Sequence, residues 1–252
     1  MAIEVFNRSE YKYILDEEQF ERMIDFISGY TSPDPYNKDG EVYTISNIYY
    51  DTENDDLIRN SLEKPLYKEK LRLRAYGVPK RGDKVYLELK KKFKGVVNKR
   101  RTALELDEAY SFAESRKIKS EKDYMNMQVV RELEYFLGIY RVVPKVYIAY
   151  DRLAFFGNYD ENLRISFDMN IRTRRESLRL ENGDFGKQLM PRGTYIMEIK
   201  DLYAMPLWLA NELGERGIRR ASFSKYGTEY RRRNLISAID DNESKAAALA
   251  AV

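Results

Sequence analysis

Predicted strands with one apolar face and one charged face recur along this chain. In residues 70–76 the leucines alternate with Arg72 and Arg74, and in residues 84–92 valine and leucines alternate with tyrosine, Glu88 and lysine. Successive side chains of a strand point to opposite faces. Each segment therefore predicts a strand that packs on one side and presents fixed charge on the other.

A third strand follows in the same unit and carries the basic run Lys99, Arg100 and Arg101. The turns predicted at residues 77–83 and at Gly95 connect the three strands. Three consecutive basic residues allow a register slip, so the sequence leaves open which of them shares the charged face.

Further strands are predicted at 4–15, 41–51, 143–152, 163–175 and 194–200, and about six of the predicted strands have one apolar and one charged face. The first has Arg8, Glu10 and Lys12 on one face, and the last has Glu198 and Lys200. In the fourth, alternation predicts two faces: Leu163, Ile165, Phe167, Met169 and Ile171 on one, and Arg164, Ser166, Asp168, Asn170 and Arg172 on the other. The charged faces thus form a set rather than an isolated case.

Amphipathic helices are predicted between the strands, at 17–28, 53–62, 107–115, 121–137 and 204–213 and within 219–239. Asp16 and Gln19 predict a capping box for the first, and Gly138 is the predicted C-cap of the fourth. We predict an α+β fold with a single domain over residues 1–240 and a flexible tail over 241–252.

Composition narrows the chemistry. The 252 residues include no histidine and no cysteine, so a histidine base, a thiolate nucleophile and a Cys/His zinc site are excluded. Any metal must be a hard cation bound by oxygen. The 21 tyrosines are interpreted as residues of strands that have one solvent-exposed face, rather than as base-stacking residues. Without a signal peptide or a membrane-spanning run, a cytoplasmic protein is expected, with no membrane contact implied.

A sheet closed into a barrel would bury the charged faces in a lumen and leave the apolar faces to the helices. The lumen would hold more cations than carboxylates, which is costly unless a polyanion fills it. Arginine and lysine both suit phosphate oxygens. The predicted lumenal cations are Lys12, Arg72, Arg74, Lys90, Lys99 or Arg101, Arg152, Arg164 and Lys200, against Glu10, Glu88 and Glu198.

Eight short motifs in order resemble the VTC domain, the polyphosphate polymerase domain of the vacuolar transporter chaperone, within the triphosphate tunnel metalloenzyme superfamily. They are Arg-Ser-Glu-Tyr-Lys-Tyr (8–13), Ile-Tyr-Tyr-Asp-Thr (48–52), Lys-Leu-Arg-Leu-Arg (70–74), Leu-Glu-Leu-Lys (87–90), Tyr-Asp-Arg (150–152), Arg-Ile-Ser-Phe-Asp (164–168), Met-Glu-Ile-Lys (197–200) and Phe-Ser-Lys-Tyr (223–226). The chain is similar to free-standing bacterial members.

This resemblance implies a closed antiparallel tunnel that binds ATP and inorganic polyphosphate or triphosphate, with Mn²⁺ or Mg²⁺. It implies transfer of the ATP γ-phosphate to a growing chain. The implied phosphate-binding residues are Lys12, Arg72, Arg74, Lys90, Lys99, Arg101, Tyr150, Arg152, Arg164, Lys200 and Lys225. The implied catalytic subset is Lys12, Arg72, Arg74, Lys90, Arg152, Arg164 and Lys225. The implied metal ligand is Glu198, with Glu10 and Glu88 as further carboxylates.

Alternatives remain open at this point. A triphosphatase of the same superfamily would use water as acceptor, and a polyphosphate- or nucleotide-binding module would lack turnover. Gly77 to Lys84 superficially resembles a P-loop, but it joins two predicted strands and is interpreted as a hairpin turn. The basic runs 90–92 and 231–233 are interpreted as solvated faces with one lumenal member each, so no nucleic-acid partner is expected.

Overall fold

The computed structural model describes residues 9–250 except 38, 39, 95 and 203, with side chains as far as residue 237. Residues 4–8 of the first predicted strand, including Arg8, and the turn predicted at Gly95 lie outside the described residues.

The described strands form one antiparallel sheet. They are β1 Ser9–Leu15, β2 Thr31–Pro33, β3 Tyr43–Thr52, β4 Tyr67–Tyr76, β5 Lys84–Phe93, β6 Val96–Glu105, β7 Val142–Gly157, β8 Arg164–Arg174, β9 Lys187–Gln188 and β10 Tyr195–Asp201. The order is β1-β10-β8-β7-β3-β4-β5-β6, with β2 paired to β7 and β9 to β8. Every longer strand corresponds to a predicted one, whereas β2 and β9 are too short to give a period-two signal. The P-loop-like segment is the connection between β4 and β5, as predicted.

The helices are α1 Glu17–Ile27, α2 Asp56–Leu62, α3 Leu106–Ser115, α4 Met127–Ile139, α5 Leu207–Glu215 and α6 Lys225–Ala250. The predicted capping box of α1 is present. The start predicted for α4 is wrong, because Asn126 caps the helix and accepts a hydrogen bond from the Val129 amide at 3.2 Å. The predicted C-cap Gly138 is also wrong, since it lies inside α4. In the described part of the chain, none of the helices combines the length and apolar character needed to cross a bilayer.

The outer face of the sheet is apolar and covered by helices, as predicted. Helices α3 and α4 pack Phe112, Leu133 and their neighbours against the leucines of β4 and β5. Helices α1 and α5 pack against β1, β8 and β10, where Phe167 and Met197 are fully buried. Burial of these side chains fixes the direction of the opposite, charged face.

The inner, concave face is only partly charged. A third apolar cluster occupies one part of it, where Ile45 and Ile148 of the sheet meet Ile58 of α2 and Tyr226 of α6. The expectation that all helices lie outside is therefore corrected for α2 and for the start of α6. This packing places Lys225, the first residue of α6, against the charged part of the face.

The prediction of a closed barrel is wrong for the described strands. Among the described strands, β1 pairs only with β10 and β6 only with β5, so the sheet is open and curls into a half-barrel. Closure would require the two edge strands to lie within hydrogen-bonding distance and in register. Here a side-chain contact crosses the concave side instead: Glu10 Oε2 of β1 lies 3.5 Å from Lys90 Nζ of β5.

Strand β8 also departs from the predicted alternation. Asn170 has φ = 50°, and the pairing with β7 shifts there, so that two residues of β8 oppose one of β7. Such a bulge reverses the faces of the residues that follow. Ile171 consequently joins the inner apolar cluster, whereas Arg172 lies on the outer side with Asp151 at 3.1 Å.

Candidate phosphate-binding site

The centre of the charged face is Glu88 on β5, which is almost fully buried. Its carboxylate accepts from Arg72 Nε at 2.7 Å and lies 2.7 Å from Lys99 Nζ, with Arg74 Nε at 3.8 Å. Burial alone would raise the pKa of Glu88, but Arg74, Arg72 and Lys99 hold the pKa well below its usual value. One buried carboxylate thus organises three predicted phosphate-binding cations.

Strand register explains why these groups meet. Arg72 lies opposite Glu88 in the β4–β5 pair, and Lys99 lies opposite Lys90 in the β5–β6 pair. The ambiguity of the basic run is resolved: Lys99 and Arg101 share the concave face, and Arg101 lies over the Tyr86 ring at 4.9 Å. Arg100 points the other way and binds Glu132 of α4 at 2.8 Å.

Asp168 on β8 organises a second group of cations. It is fully buried and accepts two hydrogen bonds from Arg152, at 2.6 and 2.9 Å. Lys225 Nζ donates to the same carboxylate at 2.5 Å. Burial alone would raise the pKa of Asp168, but these two cations keep the pKa far below its ordinary value. Arg152 and Lys225 are therefore fixed in place before any ligand binds.

Glu10 and Glu198 form the third group with lysines. Lys12 Nζ lies 3.1 Å from Glu10 and 3.7 Å from Glu198, and Lys200 forms an ion pair with Glu198. Burial and the neighbouring Glu198 act to raise the pKa of Glu10, but Lys90, Lys12 and Lys200 lower it to about 2. Against the effect of burial, Lys200 and Lys12 hold the pKa of Glu198 well below its usual value. Both carboxylates are ionised at neutral pH, as ligands of a hard cation must be.

These two carboxylates are diagonal neighbours, since Lys12 lies opposite Glu198 and Glu10 opposite Lys200 in the β1–β10 pair. Glu88 is held by its own arginine and lysine on β4 and β6. Within the residues that the structure describes, no group of three or more acidic side chains could hold a metal ion. Two carboxylates still suit Mg²⁺ or Mn²⁺, which complete their coordination with water and substrate phosphates.

The pKa shifts of two buried tyrosines show that the concave face is electrostatically positive. Tyr49 accepts from Arg72 at 3.1 Å, and Tyr150 accepts from Arg74 at 3.2 Å. Burial alone would raise the pKa of Tyr150, but Arg74, Arg152 and Lys225 lower it below the ordinary value. Burial would likewise raise the pKa of Tyr49, and Arg72 outweighs that effect. The cations of this face therefore stabilise the phenolate form of both tyrosines, as they would stabilise any negative charge placed there.

Several residues of this face are not in the predicted site. Asp168 shares its strand face with Arg164, and Lys70 shares one with Arg72, so alternation alone could have assigned both. Asp34, which binds Arg164 Nη2 at 2.9 Å, lies in a loop and gives no such signal. The same is true of Ser224, whose hydroxyl accepts from Lys70 Nζ at 3.1 Å.

Lys70 would give phosphate binding at this site a pH dependence. Burial lowers the pKa of Lys70 to about 8; Lys90, Lys68 and Lys12 add to this effect, and Tyr49 opposes it. A bound phosphate favours the ammonium form and raises this pKa. At a pH between the pKa of Lys70 in the free protein and its pKa in the phosphate complex, binding is therefore accompanied by proton uptake. The contribution of Lys70 to affinity is complete below the free pKa and is lost as the pH rises through the bound pKa.

We therefore expect inorganic tripolyphosphate to bind with proton uptake one pH unit above the free pKa of Lys70. Isothermal titration calorimetry in two buffers of different ionisation enthalpy measures this uptake. The difference between wild type and Lys70→Gln removes the titration of tripolyphosphate itself. Equal proton uptake in both proteins would contradict the prediction, and Lys119→Gln, at an exposed lysine, should behave as wild type.

Comparison with solved structures finds proteins of similar fold. The fold is similar to that of a candidate adenylate cyclase from Bacillus halodurans, with a TM-score of 0.53, 15% identity, and 88% of this chain and 96% of that chain covered. A candidate adenylate cyclase from Vibrio parahaemolyticus gives a TM-score of 0.47, 14% identity, and 90% and 99% coverage. No curated protein matches the chain.

The family assignment comes from the sequence as a whole. The VTC domain model matches residues 7–233, which include all the strands and the three groups of charged residues described above. The resemblance found in the eight motifs is thereby confirmed. The chain belongs to the VTC domain family.

Proposed function

We propose that this chain is a metal-dependent polyphosphate polymerase, which transfers the γ-phosphate of ATP to a growing phosphate chain. The observation that carries the proposal is the length of the cationic row. Lys68, Lys70, Arg72 and Arg74 share the inner face of β4. They span about 20 Å at the rise of an extended strand. A single triphosphate is shorter than this row, whereas a donor and an acceptor chain together would occupy it.

The two ends of the row differ. At the Arg72 and Arg74 end, guanidinium groups are fixed by Glu88, Asn47 and Tyr150. At the other end Lys68 lies opposite Lys92, and Lys70 lies opposite Lys90. Rigid guanidinium forks suit a defined triphosphate, and flexible ammonium groups suit a chain that must slide. We propose that the donor binds among the arginines and that the acceptor chain lies among the lysines.

The proposed chemistry depends on positioning and charge. Arg72, Arg74, Arg152, Arg164 and Lys225 would neutralise the donor phosphates, and Lys12 and Lys90 would orient the transferred group and the acceptor. The anionic terminal oxygen of the acceptor chain would bond to the γ-phosphorus as the bond from that phosphorus to the bridging oxygen breaks, and ADP would leave with the negative charge. Because the acceptor is already anionic at neutral pH, no histidine base is required. Fixed cations stabilise the charge that spreads over the transferred group without reorganising during the reaction.

Glu198 and Glu10 are the proposed metal ligands, and the bound cation would neutralise phosphate oxygens. We expect Glu198→Gln to weaken Mn²⁺ binding at least about tenfold, because it removes a ligand and not only a supporting partner. Titration of Mn²⁺ in the presence of tripolyphosphate measures this, with Glu161→Gln at an exposed carboxylate as control. An unchanged Mn²⁺ affinity would remove Glu198 from the metal site.

Incubation of the purified chain with ATP and Mn²⁺ tests the function. The polymerase predicts long phosphate polymer that is visible on a gel and degraded by an exopolyphosphatase. Orthophosphate alone would make the chain a triphosphatase with water as acceptor. Tight binding of ATP without turnover would make it a binding module.

A further inference from the structure

Four tyrosines form an aromatic cluster where the concave face opens at the ends of β3, β4 and β5. Tyr36 and Tyr76 lie nearly parallel, with ring centroids 6.1 Å apart. Tyr43 contacts both at 6.2 Å, and Tyr86 meets Tyr76 edge-on at 5.9 Å. Tyr36 is 75% exposed and Tyr76 is 46% exposed. We name this cluster of Tyr36, Tyr43, Tyr76 and Tyr86 the tyrosine platform.

The tyrosine platform begins where the arginines end. Tyr86 lies opposite Arg74, and Tyr43 lies opposite Arg152, in paired strands. Tyr86 is also two residues from Glu88 on the same face, a distance of about 7 Å along a strand. A molecule with its phosphates at Arg72 and Arg74 would therefore place its next chemical group at these rings.

Buried polar groups hold the exposed Tyr36 in place. Its amide donates to Asp34 Oδ1 at 3.0 Å, and Asp34 Oδ2 accepts from Arg164 at 2.9 Å. In the same loop the Asn37 side chain donates to the Arg152 carbonyl and accepts from the Ala154 amide. Exposed aromatic rings that are positioned in this way have the character of a binding surface, because leaving them in water gains nothing for the fold.

We propose that the tyrosine platform stacks the base of a nucleoside triphosphate whose phosphates lie among Arg72, Arg74 and Arg152. The inference rests on the proposed function and adds where the nucleoside of the ATP donor binds. A flat aromatic group joined to a triphosphate is the partner that suits adjacent tyrosine rings and guanidinium groups. It also sets a direction, with the nucleoside at the tyrosine end and the phosphate acceptor at the lysine end of β4 and β5.

Binding of ATP and of inorganic tripolyphosphate, measured by calorimetry, tests the proposal. Tyr76→Ala should weaken ATP binding about tenfold, within the range for loss of one base–aromatic stack. Tripolyphosphate affinity should change less than twofold, because the phosphate contacts remain. Tyr36→Ala should weaken ATP binding in the same selective manner. Because the Tyr36 side chain is largely exposed, its removal should not disturb the fold. Tyr135→Ala, at a 73% exposed ring on α4, should change neither affinity.

The outcomes separate this inference from the proposed function. Unchanged ATP affinity in both Tyr76→Ala and Tyr36→Ala would overturn the base-stacking site, even if the wild type makes polymer. An equal loss of ATP and tripolyphosphate affinity would also overturn it, because the rings would then support the phosphate site as a whole. If wild type binds neither ligand, both the proposed function and the base-stacking site are overturned.

Discussion

Asp168→Ala is expected to lower the free energy of unfolding by about 3–5 kcal/mol, the cost of breaking a buried ion pair from one side. The carboxylate is fully buried and is the shared partner of Arg152 and Lys225. Its removal leaves two neighbouring cations without the charge that offsets them. Urea unfolding followed by circular dichroism measures the loss, and saturating tripolyphosphate should restore part of it by supplying negative charge.

Two variants make the result specific. Asp168→Asn retains the size and hydrogen-bonding capacity of the side chain but not its charge, so it should also be destabilised. Glu161→Gln removes an exposed carboxylate from the turn before β8 and should unfold as wild type does. A stability of Asp168→Ala within about 1 kcal/mol of wild type, the average effect of a point mutation, would show that Arg152 and Lys225 do not depend on this carboxylate.

Arg72→Ala is expected to reduce phosphoryl transfer by about 10²–10³-fold, the loss that follows removal of one preorganised electrostatic donor. Its fold should survive, with a stability change of no more than about 1 kcal/mol. Glu88 retains Lys99 at 2.7 Å and Arg74 at 3.8 Å, so its carboxylate is not left alone. One cation fewer also reduces repulsion on the concave face.

The measurements are the initial rate of polymer formation from ATP and the urea midpoint. Arg72→Lys should recover only part of the rate, because a single ammonium cannot reproduce the contacts of Arg72 with both Glu88 and Tyr49. Arg81→Ala, at an exposed arginine of the β4–β5 turn, is the control and should retain full activity. Unfolding of Arg72→Ala without ligand would show that the arginine serves the fold, and a wild-type rate would remove it from the site.

Together these variants test one idea about the charged face. Its cations outnumber its carboxylates, so removal of a carboxylate should be worse for folding than removal of a cation. The same imbalance lowers the pKa of Tyr49 and Tyr150, which are buried among arginines and a lysine. A bound polyanion would offset the excess positive charge that causes both the loss of stability and the lowered tyrosine pKa values. Stabilisation of the fold by tripolyphosphate is the simplest measurement of this excess charge.

Much of the site was predictable because strand alternation is a local property. The positions of Arg72, Arg74, Glu88 and Lys90 follow from the buried leucines and valine between them, whose burial leaves the charged residues one possible face. Glu198 and Lys200 follow in the same way from Met197 and Ile199. Alternation fails at Asn170, where a bulge that the sequence does not announce sends Arg172 to the outer side.

The sequence by itself determined the charged faces, the exclusion of histidine and cysteine chemistry, and membership of the VTC domain family, because these depend on residue type, local period and motif order. Only the tertiary structure decided that the half-barrel is open and that Lys99 and Arg101 face inward while Arg100 does not. The tertiary structure also places Arg152 and Lys225 on the same carboxylate of Asp168 and brings the four rings of the tyrosine platform together. Those contacts join segments far apart in the chain, and strand register and curvature, which set them, are properties of the whole sheet.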